Sequence, residues 1–379
     1  MAKKKSKGKI RADFRKNREK PARISDWTRQ FEQHGFEQEE TVSGERVSGK
    51  GELSRKRTVV GVETVEDKSG LGVRLEVDES VCLAGRVLKV QGLNSTVETD
   101  DGQLYRCATR RLLKTLATDQ RHVVAAGDRV LFRPAPGYEG VIERVEPRRG
   151  VLSRTSRSRR HILVTNVDQL LIVTSAGQPE IKPHLIDRLL VTAESIRIEP
   201  VICINKIDLV DPASLMPIVG VFSQMGYRVL LLSAETGFGI ERLRGVLTGR
   251  ESVVTGQSGV GKSSLLNVLE EGLHLRVRTV SAESEKGRHT TTTAELIPLS
   301  FGGYVVDTPG IRQFQLWDVI PEEIAGYFRD IRPYVSRCNF TDCTHRHEED
   351  CAVKDAVADG RLDVRRYESY CHMFEGDLA

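Results

Sequence analysis

Two hydrophobic periods divide the chain. Between residues 80 and 148, apolar and polar positions alternate in short runs at 84–90, 95–99, 103–107, 123–132 and 140–145. Gly92, Asn94 and the hairpin signal Asp100-Asp101-Gly102 separate them. Five short strands at this spacing predict a small Greek-key barrel of the oligonucleotide-binding (OB-fold) kind, whose surface carries Arg106, Arg110, Arg111 and Lys114. From residue 166 the period changes. Near-continuous apolar runs at 166–174, 201–204, 229–232 and 252–254 alternate with helical patterns at 185–196, 212–225 and 240–247. Strand patterns follow at 295–299 and 304–306. Buried strands alternating with helices predict a parallel sheet covered on both faces, with a ligand at the carboxyl ends of its strands. Residues 1–75 have no sustained apolar period and are expected to be mostly disordered, apart from a short amphipathic helix at 24–36. Helices are expected again at 321–331 and 353–357.

The chemistry sits where these patterns change. The run 252–255 ends in Gly256-Gln257-Ser258-Gly259-Val260-Gly261-Lys262-Ser263, followed by Ser264 and an amphipathic stretch. G-x-x-x-x-G-K-S between a strand and a helix is a phosphate-binding loop, its N–H groups converging on a polyphosphate. Lys262 would reach the β/γ-phosphates and the Ser263 hydroxyl would sit on Mg²⁺. The apolar run 201–204 ends in Asn205-Lys206-Ile207-Asp208, where a carboxylate at position 208 can accept from N1–H and the 2-amino group of guanine. Ser233-Ala234-Glu235-Thr236-Gly237 supplies a companion loop against the base. Asp307-Thr308-Pro309-Gly310 would hold Mg²⁺ through water at Asp307 and meet the γ-phosphate at Gly310. In an ordinary GTPase the base-reading motifs come after the phosphate loop; here they precede it, so the order is circularly permuted. The polar run 283–293 occupies the place of a switch loop, in which Thr291 or Thr292 would close over Mg²⁺. Ile311 stands where many GTPases carry a water-positioning Gln, which predicts slow intrinsic hydrolysis. His289 is the candidate to order that water; the other reading is a loop histidine without catalytic duty.

Composition sharpens this outline. At 379 residues the chain has room for two or three domains. No apolar run reaches the roughly 18 residues of a membrane span, and the basic N-terminus lacks an apolar signal region, so a soluble cytoplasmic protein is expected. The net charge is only +4, but residues 1–23 hold eleven Lys and Arg. That tail reads either as an arm for RNA phosphates or as a solubilising tail. Seven cysteines do not make a disulfide framework. Cys338, Cys343, His345 and Cys351 instead have the spacing of a closed, structural zinc shell, with His347 as a competing ligand. Arg361, Arg365, Arg366 and Tyr367 are expected to add a second basic face, and 148–160 a basic linker.

N-K-x-D, S-A-E-T-G, G-x-x-x-x-G-K-S, G-R-H-T-T-T and D-T-P-G in this order, between a barrel and a Cys-Cys-His-Cys segment, resemble the circularly permuted bacterial GTPases of the RsgA (YjeQ) family over residues 80–379. The resemblance implies a multidomain α/β chain. Its parts would be an OB-fold barrel (80–148), a permuted P-loop GTPase domain (149–316) and a helical zinc-binding domain (317–379), preceded by a basic, mostly disordered extension (1–79) that is not part of the shared pattern. It implies GTP hydrolysis with Mg²⁺, stimulated by the 30S ribosomal subunit and coupled to release, in late subunit maturation. It places guanine recognition on Asn205, Lys206 and Asp208, with Ser233 and Ala234 beside them, and phosphate binding on Gly256 to Ser264. Mg²⁺ would be held by Ser263, Thr291 and Asp307, and zinc by Cys338, Cys343, His345 and Cys351. Lys262 and His289 are the candidate catalytic groups. The expected partners are the 30S subunit and its 16S rRNA, with other assembly factors as further candidates, and the protein is expected to be a monomer. Two rivals remain: a nucleotide-gated RNA-binding scaffold that needs no turnover, and a P-loop ATPase, which N-K-x-D with S-A disfavours.

Overall fold

The computed structural model describes residues 8–13, 56–64, 73–75, 77–110, 113, 123–156, 159–270, 294–307 and 319–376. Within the stretch expected to lack regular structure, β1 (Gly8–Asp13), β2 (Lys56–Thr64) and β3 (Val73–Leu75) pair as a small antiparallel sheet. The helix expected at 24–36 lies outside the described residues.

The alternating runs become β4 (Leu83–Gln91), β5 (Asn94–Glu98), β6 (Leu104–Thr109), β7 (Arg129–Ala135) and β8 (Glu139–Val145). They close in the order β4-β5-β6-β8-β7 and back to β4, with β6 and β8 parallel and the other pairs antiparallel. This is the five-stranded Greek-key barrel the alternation predicted. One residue in two points inward, and Val87, Val97, Cys107, Phe132 and Ile142 are fully buried there. The run expected as one strand over 123–132 forms β7 only from Arg129. Before it, the chain turns at Gly127 (φ +87), where a Cβ would stand 2.1 Å from the Thr165 carbonyl oxygen. Asp128 holds that turn, accepting from the Ala125 N–H at 2.8 Å and from the Arg148 guanidinium at 2.7 Å. Arg148 is therefore a buried part of the barrel rather than a linker residue. The rest of the expected linker is largely a hairpin, β9 (Leu152–Ser156) with β10 (Arg159–Val164).

Next come β11 (Gln169–Ser175), α1 (Pro183–Ser195), β12 (Glu199–Asn205), α2 (Met216–Gln224) and β13 (Arg228–Leu231). They are followed by α3 (Ile240–Leu247), β14 (Glu251–Thr255), α4 (Lys262–Leu269), β15 (Glu295–Pro298) and β16 (Tyr304–Asp307). The strand order is β13-β12-β11-β14-β16-β15, parallel except for β15. Period two again sorts the core. Leu170, Ile172, Ile202 and Ile204 face α1 and α2 through Leu189, Leu190 and Phe222. Leu171, Val173, Val201 and Cys203 face α3 and α4 through Leu243, Leu247, Leu265 and Leu266. The central strands β11, β12 and β14 are buried on both sides, which is why their sequences read as nearly unbroken apolar runs. The two sheets join where β15 meets β4 at Glu295 and Lys89, whose side chains also pair at 2.7 Å.

The C-terminal part holds α5 (Ile324–Tyr327), α6 (Arg332–Val335), α7 (Ala352–Ala358) and α8 (Val364–Phe374). The helix expected over 321–331 is a 3-10 turn at Pro321–Glu323 and the short α5. Phe328 leaves the helix with an extended backbone, which drops its ring fully buried into the core with Ile331, Val353 and Tyr370. Val191 of α1 belongs to the same core, so this part packs directly on the α/β sheet's helix layer. Arg366, expected on a basic surface, is instead buried between Asp187 of α1 and Asp330. Among the described residues, no helix is long and apolar enough to cross a membrane.

Candidate functional site

The phosphate loop leaves the carboxyl end of β14, in the centre of the sheet. Two glycines fix its path. At Gly256 (φ +144) a Cβ would stand 2.0 Å from the Val173 carbonyl oxygen of the adjacent strand. At Gly261 (φ +92) it would stand 2.4 Å from Asn205 Nδ2. Only glycine tolerates both the dihedral and the approach. Ser263 and Ser264 occupy the first turn of α4, directly after Lys262. The Lys262 ammonium lies back over its own loop, donating to the carbonyls of Gly256 (2.9 Å) and Gln257 (2.6 Å).

Asn205 is the hub. Buried at the end of β12, it donates from Nδ2 to the Val260 carbonyl at 2.9 Å and accepts at Oδ1 from the Ala234 N–H at 3.2 Å. One amide thus ties the phosphate loop to the S-A loop, although the three stretches are separate in sequence. Lys206, in the left-handed region at φ +62, donates to the Gly259 carbonyl at 2.7 Å and to the Gln178 carbonyl at 2.8 Å. Asp208 is exposed, and its Oδ1 accepts from the Ser233 hydroxyl at 2.5 Å. The Ser233 oxygen in turn accepts from the Thr236 N–H at 3.1 Å. A carboxylate so aimed, beside a loop of converging N–H groups, suits a purine with paired donors and a polyphosphate tail.

Asp307 ends β16, two strands from β11, and only its backbone is described. His289, Thr291, Thr292, Gly310 and Ile311 lie outside the described residues. Arg111 and Lys114 of the barrel surface lie outside them as well.

The second cluster is the thiol-imidazole group. The ligand atoms of Cys338, Cys343, His345 and Cys351 all lie within 4.8 Å of one another. Cys338 Sγ is 3.4 Å from His345 Nδ1 and 3.9 Å from Cys351 Sγ, and Cys351 Sγ is 3.5 Å from His345 Nδ1. Zinc bond lengths in a tetrahedron give edges of about 3.5 Å for nitrogen to sulfur and about 3.8 Å between sulfurs. The separations among Cys338, His345 and Cys351 fit that ion, with Cys343 within 4.8 Å as the fourth donor. Burial pushes the Cys343 thiol up to about 12 and raises Cys351, while it lowers His345. A divalent cation among these groups reverses the preference for protonated thiols. His347, the competing ligand, is exposed and outside the group.

Glu348 was not singled out from the sequence, yet it organises this knuckle. Its carboxylate accepts from the Thr344 N–H and hydroxyl, both at 2.6 Å, and from the N–H groups of Arg346 (2.9 Å) and His347 (3.1 Å). Against partial desolvation, these donors hold its carboxyl well below the usual carboxylate range. Tyr370 and Tyr367 donate to the carbonyls of Thr344 (2.6 Å) and His345 (2.7 Å), fixing His345 in its left-handed conformation at φ +60. An acid inside a Cys/His spacing was the available signal for Glu348. Nothing in the sequence pointed to the Gln178 carbonyl that receives Lys206.

Comparison with known proteins agrees with this geometry. A family model described as RsgA GTPase matches residues 145–317. The curated small ribosomal subunit biogenesis GTPase RsgA of Sodalis glossinidius (strain morsitans) is 42% identical over 297 residues, covering 77% of this chain and 85% of the relative. The chain belongs to the RsgA GTPase family. It is a GTP-hydrolysing enzyme of ribosome biogenesis. Two solved RsgA-like structures share its architecture. YjeQ from Thermotoga maritima is 37% identical, with a TM-score of 0.65 over 79% of this chain and 99% of that one. YloQ, described as a circularly permuted GTPase, is 28% identical, with a TM-score of 0.63 over 79% and 96%. The permutation read from motif order is therefore a property of the RsgA fold.

Proposed function

We propose that this RsgA-family GTPase binds GTP·Mg²⁺ across the Asn205 hub and acts on the 30S subunit during late maturation. The observation that carries the site is the double hydrogen bond of Asn205, which holds the base loop and the phosphate loop in one register. Asp208 would read the guanine edge, with Asn205, Lys206, Ser233 and Ala234 shaping its pocket. Gly256 to Ser264 would hold the phosphates, Lys262 leaving its loop carbonyls for the β/γ-phosphate oxygens. Ser263, Thr291 and Asp307 would hold Mg²⁺, whose chemistry is neutralisation of developing phosphate charge. His289 would order the attacking water. The Cys338, Cys343, His345 and Cys351 group would bind one structural zinc.

Residues 80–148, 149–316 and 317–379 would act as barrel, GTPase and zinc units, the outer two gripping 16S rRNA in the cytoplasm. Hydrolysis would release the protein, so that GTP times its stay on the subunit. The names of the curated relatives support the small-subunit partner.

The test is steady-state GTP hydrolysis with and without purified 30S and 50S subunits, using ATP and a zinc-stripped sample as controls. Stimulation by 30S alone is expected. Equal rates with 30S, with 50S and with neither would refute the subunit-dependent mechanism.

A further inference from the structure

At the end of the sheet opposite the phosphate loop, where β14 and β16 begin against the barrel, a cleft of about 570 Å³ opens. Arg86 of β4, Arg129 of β7, Arg149 and Arg250 line it, with Asp168 and Glu251 as its carboxylates. Arg149 lies 3.6 Å from Asp168 and Arg250 pairs with Glu199 at 2.7 Å, so four guanidinium groups meet three carboxylates and one positive charge is left over. Glu251 is only 4% exposed. Its Oε1 lies 3.0 Å from Arg86 and 3.9 Å from Arg129, whereas its Oε2 is buried with no hydrogen-bond partner. Arg86 Nε is buried and unpartnered as well. The Arg86 guanidinium is held by stacking 4.3 Å from the centre of the Tyr304 ring, whose hydroxyl donates to Glu98 at 2.7 Å.

A buried donor and a buried oxygen, each without a partner, on the wall of one arginine-rich cleft is an arrangement that folding alone disfavours. A ligand presenting both an acceptor and a donor would satisfy them. Phosphate oxygens suit the planar guanidinium forks, and a sugar hydroxyl can donate to Glu251.

We propose that this cleft binds a phosphorylated sugar unit, its phosphate against Arg129, Arg149 and Arg250 and a hydroxyl on Glu251 Oε2. The unit can come from a free sugar phosphate or from the ribose-phosphate backbone of an RNA strand. The cleft is not part of the nucleotide site. It lies at the far end of the same strand, β14, roughly 16 Å from Gly256 at about 3.3 Å per residue. Binding there bears on the strand that carries the phosphate loop.

The experiment uses the full chain saturated with GDP and Mg²⁺, so that the nucleotide site is filled. Calorimetry is run with ribose 5-phosphate, with unphosphorylated ribose and with a twelve-nucleotide single-stranded RNA. The comparison protein is Arg129→Ser/Arg149→Ser, whose altered side chains are 53% and 68% exposed, so the fold should persist. Unchanged unstimulated GTP hydrolysis checks this. Ribose 5-phosphate binding, absent with ribose and weakened at least tenfold in the double variant, would establish a small-molecule site. RNA binding weakened at least tenfold, without ribose 5-phosphate binding, would assign the cleft to an RNA strand. Binding that is unchanged in the double variant, or no binding of either phosphorylated probe, overturns the proposal. No ribosomal subunit enters the measurement, so its failure is separate from failure of the 30S mechanism.

Discussion

Replacing Arg366 with alanine should uncouple the C-terminal part from the α/β sheet. Its Nε and Nη2 donate to the two carboxylate oxygens of Asp330, each at 3.0 Å, and its Nη1 donates to Asp187. The guanidinium also stacks 4.5 Å from the centre of the Phe328 ring. Arg366 is 2% and Asp187 1% exposed, so water cannot replace what is lost. Breaking a buried ion pair from one side is unfavourable by about 3–5 kcal/mol, with about 1–2 kcal/mol more for a desolvated cation–π contact. We expect a loss of about 4–7 kcal/mol, a large part of a typical domain's 5–15 kcal/mol. Burial already raises Asp187, the attraction of Arg366 working against it. Without the arginine, Asp187 will take up a proton more readily, so the loss should shrink as the pH falls from 8 to 5. The assay is urea unfolding at both pH values, followed by tryptophan-independent probes such as far-UV circular dichroism and hydrogen exchange in α1 and α8. A loss below about 1 kcal/mol at pH 8, or one that does not depend on pH, would refute the reasoning. Replacing all three residues by apolar ones should recover most of the stability, because the desolvation of three charges disappears together.

Gly261→Ala, at φ +92 and 2.4 Å from Asn205 Nδ2, should weaken GTP binding at least tenfold, read by titration with a fluorescent analogue; strain of about 1–2 kcal/mol and one lost hydrogen bond of about 1 kcal/mol supply the effect. Chelating the zinc of a metal-loaded sample should expose α7 and α8 to proteolysis, and Glu348→Ala should raise the zinc Kd by 10- to 100-fold because its four accepted hydrogen bonds shape the knuckle. Burial pushes Glu251 up to about 7 from 4.5, despite Arg86, so the folded state holds its proton more tightly than the unfolded chain. Its contribution is present below pH 4.5 and lost as pH rises to about 7, a total of roughly 3 kcal/mol. The stability of Glu251→Gln relative to the parent should therefore rise between pH 5 and 8; a flat difference would count against that environment.

The motif residues were legible because each chemistry demands a local pattern. A polyphosphate needs consecutive backbone N–H groups, so Gly256 to Ser263 must be contiguous. A Cys/His group that can hold one metal ion needs its donors a few residues apart, so Cys338 to Cys351 stand out. Arg366 and Arg148 were misplaced for the opposite reason. A charged side chain reads as surface, and the carboxylates that bury it, Asp187 and Asp128, are 179 and 20 residues away. The expected helix at 321–331 failed because the core pulls Phe328 inward against its helical propensity.

By itself the sequence determined the barrel's alternation, the doubly covered parallel strands, the permuted motif order and the Cys/His cluster, all of which rest on periods or spacings within one segment. Only the tertiary structure decided how these meet. Asn205 joins two loops separated from it by 29 and 55 residues. β15 pairs with β4 across 206 residues, and four arginines gather around the buried Glu251. Such contacts depend on chain crossings and on the burial of charge, and a local pattern carries neither.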